Sequence, residues 1–511
     1  MYFLPIGFLI VISLSILITY FSINIKKSAI EVVNDMGYGW TLSNSFECYS
    51  ATKKYNFPDE QITSWGNKIP TKEMIVSLKE YGFKTISFPV TWMHFMDDSG
   101  KVAPEWMARV KEVVDWIIDS KMYCILNVSN DGHENFWLSK GIASKNKFIY
   151  LWEQISNEFK DYNGYLIFES MEHGLFLIGN DYDYSTLLIL NQAFVDTIRN
   201  SGGKNIDRLI LVAGMYKHPD LSCSSEYKLP IDPYKKFAVS LNYYLPQQFT
   251  MEPQDNPWTF VDSNGNIQIT PAFDSWGTEN DYKELFVYFQ NFKETFIDKG
   301  IPIVITQVCV LTEDKKKPES IVEYLFSIFS ISASFDGIMS CLFDNSNKKF
   351  GLYNYYDREN KKFFDENVGE IFKKISKGKY DRLQDFSYYS NIDTVTNLES
   401  NGNIEIIIGK KKVKKIIFSA KLSVAPYNVN FGILSNDKNN KYFTQQINGE
   451  TGVKKGSSYI YTIEAGKKEY YDHIEIQKWW NKEFSTLNYL SVEFKNKYSF
   501  LDYTAYKNSL K

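Results

Sequence analysis

Eight short apolar runs, each followed by a helical pattern, constrain this chain more than any other feature. They are Gly37–Leu42, Thr85–Val90, Tyr123–Val128, Leu166–Met171, Leu209–Gly214, Phe237–Tyr243, Pro302–Val308 and Gly337–Phe343. Between them apolar residues recur at helical spacing. After Pro104, a residue suited to a first helical turn, come Trp106, Val110, Val113, Val114, Ile117 and Ile118. A second set is Phe148, Leu151, Trp152, Ile155 and Phe159. A third pattern, Leu187 to Arg199, stops at Gly202-Gly203, and a fourth, Tyr282 to Ile297, stops at Gly300, in keeping with glycine C-caps. Eight such units over roughly 340 residues predict an α/β fold, a (β/α)8 TIM barrel with long loops. A doubly wound sheet is the alternative, and the regular spacing favours the barrel.

The pattern changes after about Lys374. A short basic linker, Lys373 to Lys379, leads into strict alternation. Ile404, Ile406 and Ile408 share one face, Tyr459, Tyr461 and Ile463 another, and Leu490, Val492 and Phe494 a third. Turn signals at Asn401-Gly402 and Asn448-Gly449 separate these runs. Residues 381–511 are therefore expected to form a small antiparallel β-sandwich, with 30–374 as the barrel. Lys410 to Lys415 reads as a solvated strand or turn. At the other end, Tyr2 to Ile23 is an uncharged apolar run long enough for a membrane span. Residues 1–29 are expected to be a signal peptide or signal anchor, with cleavage near Ser28-Ala29 as one outcome. Lys26 and Lys27 after the run pull the other way, towards a cytoplasmic bulk. Export, to the exterior or a membrane-anchored cell-surface site, is favoured.

Composition narrows the function classes. A net charge of −4 with no long basic block excludes nucleic acid as a partner of choice. The five cysteines are widely spaced and contain no CxxC pair, so zinc and redox motifs are unsupported. Free thiols are expected, with Cys309 and Cys341 on adjacent strands. His173 with Cys309 is too thin a set for a metal, and no cofactor is implied. Aromatics reach 16%. Most of them serve a core, but exposed rings would also stack on sugars.

Active sites of such barrels lie at the C-terminal strand ends. Those ends read Gly37-Tyr-Gly-Trp-Thr-Leu-Ser-Asn44, Ser64-Trp-Gly-Asn67 and Gly82-Phe-Lys-Thr-Ile-Ser-Phe-Pro-Val-Thr-Trp92. They continue as Ile125-Leu-Asn-Val-Ser-Asn-Asp-Gly132, Leu166-Ile-Phe-Glu-Ser-Met171 and Val239-Ser-Leu-Asn-Tyr-Tyr-Leu-Pro246. Phe273-Asp-Ser-Trp-Gly277, Gly300-Ile-Pro-Ile-Val-Ile305 and Phe343-Asp-Asn345 complete the series. Together these motifs resemble glycoside hydrolase family five, the cellulases and related β-glucanases, over nearly all of residues 32–372.

The departures from that resemblance fall on its chemistry. Where the family reads Met-Asn-Glu-Pro, with Glu as general acid/base, this chain reads Met171-Glu172-His173-Gly174. Aligned without a gap, His173 takes the acid/base position; a one-residue deletion would leave Glu172 there. Where the family has its nucleophilic Glu, the chain has Gln307. The family's Arg after the second strand becomes Ser87, its paired His after the third become Ser129 and Asn130, and its His before the Tyr pair becomes Asn242. Its Trp before Asp-Asn becomes Phe343. What remains for a sugar is Asn44, Trp65, Trp92, Asn130, Asn242, Tyr244, Trp276 and Phe343, with Trp137 as a further ring near the mouth.

A retaining glycosidase needs two carboxyl groups about 5–5.5 Å apart, one of them an anionic nucleophile. A neutral amide neither attacks the anomeric carbon nor stabilises a cationic transition state by charge. The resemblance and its departures thus imply a pseudoglycosidase, expected to be a monomer, that binds a β-linked polysaccharide, an oligosaccharide or a protein partner. The alternative is an active glycoside hydrolase of polysaccharide catabolism, using Glu172 and a displaced carboxylate such as Asp131 or Asp344. Trp479-Trp480 adds a weak likeness to carbohydrate-binding modules.

Overall fold

The computed structural model describes residues 27–378, apart from short loop stretches at 133–135, 173–176, 179–180, 252–258, 262–266, 270–271, 313–315 and 347–352, and most of 403–494. The apolar run 2–23, His173 and Trp479-Trp480 lie outside the described residues. The chain divides into two compact units. One comprises the residues up to Trp276 with Asn291–Ser376, the other Gly277–Gln290 with the residues from Lys377 onward.

The first unit holds a closed parallel barrel of eight strands, as the alternation predicts. These are β1 (Gly39–Leu42), β2 (Thr85–Phe88), β3 (Tyr123–Asn127), β4 (Leu166–Glu169), β5 (Ile210–Ala213), β6 (Phe237–Tyr243), β7 (Ile303–Val308) and β8 (Ile338–Asp344). Each pairs with its sequence neighbour, and β1 closes on β8 through Gly39 opposite Cys341. An added Cβ at Gly39 would lie 2.5 Å from the Cys341 sulfur, so only glycine fits this seam. All five cysteines are free thiols.

A short helix, α1 (Ala29–Met36), closes the floor of the barrel. Its Ala29, Val32, Val33 and Met36 join one apolar cluster with Ile125, Ile167, Ala238, Val304 and Met339 from five strands. Ser28 caps it with a reciprocal box: the Glu31 amide donates to Ser28 Oγ at 3.2 Å, and the Ser28 amide donates to the Glu31 carboxylate at 2.6 Å. The Thr85 hydroxyl donates to the Met36 carbonyl at 2.8 Å, and the Gly337 amide donates to the Asn34 side chain at 2.7 Å, tying the C-terminal end of the helix to two strand starts. Outer helices follow the predicted stripes. In α2 (Pro104–Asp119), Trp106, Val110, Val113, Val114 and Ile117 are all buried. In α3 (Lys145–Glu158) and α4 (Tyr184–Asn200), Trp152 packs against Phe194 at 4.7 Å between ring centroids.

In the second unit, the strands β9 (Asn403–Leu422), β10 (Asn430–Asp437), β11 (Asn440–Asn448), β12 (Val453–Lys455), β13 (Ser458–Glu464), β14 (Tyr470–Lys478) and β15 (Ser485–Phe494) are all antiparallel. The long β9 pairs with β14 through its first half and with β13 and β15 through its second. The alternation shows in the register. Ile404 and Ile406 face Ile476 and Ile474, while Phe418 faces both Tyr461 and Leu490. Lys410 to Lys415 falls within β9, at its register shifts, so it is strand rather than turn.

Candidate active site

Five strand ends converge on one buried polar cluster at the mouth. Asn127 ends β3 and Glu169 ends β4, with Glu172 just beyond. Lys217 follows β5, Asn242 lies near the end of β6, and Thr306 and Gln307 belong to β7. Strand alternation would send Thr306 and Gln307 to opposite faces. A register shift between Ile305 and Gln307, against both flanking strands, lets both side chains reach the cluster.

Glu172 is the hub. One carboxylate oxygen accepts from Gln307 Nε2 at 2.9 Å and Asn242 Nδ2 at 3.1 Å. The other accepts from Lys217 Nζ at 2.8 Å and Asn127 Nδ2 at 3.3 Å. Lys217 also donates to Glu169 at 2.7 Å and to the Thr306 hydroxyl. Asn127 Nδ2 donates to Glu169 at 3.0 Å. The Tyr244 hydroxyl donates to Gln307 Oε1, which leaves the amide NH2 to face Glu172. The Lys217 side chain is wholly buried, as is that of Glu169, and Glu172 is 5% exposed. Burial works against the Lys217 ammonium, but the charges of Glu169 and Glu172 outweigh it and hold its pKa above that of an ordinary lysine. The loop that delivers Lys217 is itself unusual: Tyr216 and Lys217 both have positive φ, at 49° and 50°. Two successive non-glycine residues in that region carry strain of the kind found at functional sites.

Asp131 and Asp344, the candidate displaced carboxylates, are both bonded into the scaffold. Asp131, fully buried, accepts from the Trp92 amide at 2.8 Å and Trp137 Nε1 at 2.6 Å. Asp344, also fully buried, accepts from Trp40 Nε1 at 3.0 Å and the Tyr356 amide at 2.9 Å. Burial pushes the Asp131 carboxyl up to about 6, against the pull of its two N–H donors. Its folded pKa lies above the unfolded value of 3.8, so the folded state holds the proton more tightly. Stability from this group is therefore present at low pH and is lost as pH rises through about 6. The unfolding free energy of the native chain, taken relative to Asp131→Asn, is expected to fall by on the order of 1.4 kcal/mol per pH unit across that window. Urea titrations of both proteins at several pH values check this, and a flat difference would refute it.

The predicted sugar-contacting residues divide into two groups. Asn242, Tyr244 and Gln307 meet at the mouth, and Phe343 lies edge-on to Tyr353 at the end of β8; all four are partly exposed. Trp65 is also half-buried, its indole N–H bonded to the Tyr49 carbonyl at 3.1 Å and its ring edge-on to Tyr49. Tyr49 in turn meets Phe136 at 5.1 Å, extending an aromatic rim that sequence reasoning missed. Trp92, by contrast, is fully enclosed and donates to the Asn127 carbonyl at 3.1 Å, so it offers no ring face. Trp276 is 6% exposed and packs edge-on against Tyr324. Asn44 and Asn130 are buried, and their amides donate to the backbone of Asn345 and Glu47. These four support loops, because the strand-end loops fold inward over them. Glu169, Asn127, Thr306 and Lys217 also escaped the sequence reading. Asn127 and Glu169 end apolar strands at inward positions, which is a usable signal; Thr306, inside β7 next to its register shift, and Lys217 had none. Among the described residues, no group of three or more His, Cys, Asp and Glu side chains is placed to hold a metal ion.

The profile of Cellulase (glycosyl hydrolase family 5) matches residues 48–349. More than half of the chain is matched, and the protein belongs to glycosyl hydrolase family 5. Among solved structures, it is similar to a GH5-4 broad specificity endoglucanase from an uncultured bovine rumen ciliate. The two share 52% identity with a TM-score of 0.68, covering 69% of this chain and 99% of that one. A GH5 lichenase from Caldicellulosiruptor sp. F32, solved in complex with cellotetraose, is 26% identical with a TM-score of 0.61, covering 69% and 96%. Endoglucanase A of Clostridium longisporum is 31% identical over 348 residues, which are 64% of this chain and 62% of the relative's length.

Proposed function

We propose that this protein binds a β-linked glucan along its barrel mouth and holds it without the two-carboxylate hydrolysis of its family. The observation that carries the reading is the Glu172–Gln307 contact. The amide occupies the position that the family resemblance gives to the nucleophile, and it is bonded to the one mouth carboxylate that faces it. The glucan class is supported by the endoglucanase relatives and by the cellotetraose held by the lichenase. Trp65 supplies a half-exposed ring for stacking. Asn242, Gln307 and Tyr244 supply neutral groups for hydroxyls. Few polar contacts on an open mouth give affinities of roughly micromolar to millimolar.

A second reading has its own support. The relatives are named as endoglucanases, which favours hydrolysis of O-glycosyl bonds in β-glucan, with Glu172 and a displaced carboxylate as the working groups. Both readings place the ligand at the same mouth. Both also agree with export or cell-surface anchoring, since the polymer is extracellular, and with an accessory β-sandwich role for residues 381–511.

Calorimetry with cellotetraose and xyloglucan oligosaccharides tests the binding. The full chain is expected to bind at least one of them, with Trp65→Ala weakening it about tenfold, the order of one lost stacking contact worth ~1.4 kcal/mol. Absence of heat with every β-linked oligosaccharide at millimolar concentration would remove the glucan reading.

A further inference from the structure

We propose that Lys217 is a positioning residue of this mouth: its buried ammonium, clamped between Glu169 and Glu172, keeps Glu172 ionised and fixes its other oxygen towards Asn242 and Gln307. The inference deepens the glucan-binding reading by naming what sets the charge state of the mouth floor.

The argument rests first on geometry. Lys217 Nζ has three acceptors, one each from Glu169, Glu172 and Thr306, which matches the three protons of an ammonium. None of that side chain reaches solvent. A lysine is rarely buried unless paired, and here the backbone enters the left-handed region at two successive residues to deliver it. A surface lysine would need no such turn.

The groups around Glu172 come from every neighbouring strand end. β3 contributes Asn127, β4 Glu169, the loop after β5 Lys217, β6 Asn242 and Tyr244, and β7 Thr306 and Gln307. Tyr244, Cys309 and Cys341 lie nearby, and burial holds all three above their ordinary values, so they stay neutral. Burial also raises the Glu169 pKa, against the pull of the Lys217 charge. Among the described residues, Lys217 is the cation that faces both carboxylates. Without it, Glu169 and the facing oxygen of Glu172 would share the single Asn127 amide in a buried site. Two like charges in that position cannot both stay ionised, and the pair would take up a shared proton. Once protonated on the oxygen that now faces Lys217, Glu172 would keep its other oxygen as a neutral and weaker acceptor for the Gln307 and Asn242 amides. Lys217 therefore governs how firmly those amides are held where a glycan would meet them.

The test is infrared difference spectroscopy on the full chain without glycan. Spectra of Glu172→Gln are subtracted from the parent, in the native background and again in Lys217→Met, across pH. In the native background the Glu172 signal is expected to be that of a carboxylate at neutral pH. In Lys217→Met a protonated carboxyl band is expected to appear and to persist to neutral pH, an upward shift of at least one unit, while Lys217→Arg restores the carboxylate. Identical titration in the native and Lys217→Met backgrounds would overturn the proposal. Should Lys217→Met fail to fold, the native spectra still decide, because a Glu172 carboxyl that is protonated at neutral pH in the native chain overturns it equally. A chain that binds no glucan would sink the reading of the mouth as a glucan site, while these spectra would still report on Lys217.

Discussion

Incubated with carboxymethylcellulose, lichenan or xyloglucan, the purified chain is expected to release reducing ends at least about 10⁴-fold more slowly than the rumen-ciliate endoglucanase assayed beside it. Retaining hydrolysis needs a nucleophilic carboxylate and a proton donor about 5–5.5 Å apart. Four donors occupy the two oxygens of Glu172. Held in this way it has no proton to give. Gln307, facing it, has no charge with which to attack. Replacing Gln307 by glutamate is expected to bring little recovery, because the new carboxylate would sit against Glu172 where the amide now lies at 2.9 Å. Two carboxyl groups at that separation leave no room for the scissile bond, which retaining chemistry places between groups about 5–5.5 Å apart. An activated aryl cellobioside separates the two deficits, since it departs without an acid. Slow cleavage of that substrate alone, lost on Glu172→Gln, would assign Glu172 as a residual nucleophile. Turnover of polymer at the rate of the relative, lost on the same substitution, would establish the hydrolase reading.

Replacement of Arg208 by methionine is expected to cost the barrel about 3–5 kcal/mol, the range for stranding a buried charged network. Arg208 is 2% exposed and lies just before β5. Its guanidinium donates to the carbonyls of Phe159, Tyr162, Asn163 and Leu166 and to the Asn205 side chain, at 2.7 to 3.2 Å. It also lies over the Phe168 ring at 5.0 Å. Its hydrogen bonds go to the loop carbonyls between α3 and β4, and the charge of the neighbouring Asp207 supports it. Methionine fills much of the volume and leaves those carbonyls without donors. Urea unfolding monitored by tryptophan fluorescence reads the loss, and a change below about 1 kcal/mol would show that water replaces the guanidinium freely.

The barrel was legible because each strand is an apolar run bounded by polar loops, and each intervening helix carries its own stripe. The eight predicted runs match β1 to β8 within three residues at either end. The small two-residue hairpins at Leu177–Ile178 and Tyr356–Asp357 were not legible, since two residues carry no period. At the site, the strand-end resemblance led to Glu172, Asn242, Tyr244 and Gln307, and the structure brings these four together. It could not tell Trp65 from Trp92 or Trp276, because an indole suits a core as well as a rim and only loop packing decides between them. Lys217 was invisible for the opposite reason. A lone lysine past a strand reads as surface, and only the left-handed turn at Tyr216 and Lys217 sends it inward.

The capped helix beneath the barrel has a consequence for orientation. α1 begins at Ala29 and seals the end of the strands opposite the mouth. The apolar run ends at Ile23, so only the few residues 24–28 separate it from that seal, a tether of at most about 18 Å when fully extended. With that run seated in a bilayer, the floor of the barrel would be drawn close to the lipid headgroups and the glucan-facing rim would look away from them. A polymer approaching from outside the cell would then meet the open rim before it met the membrane.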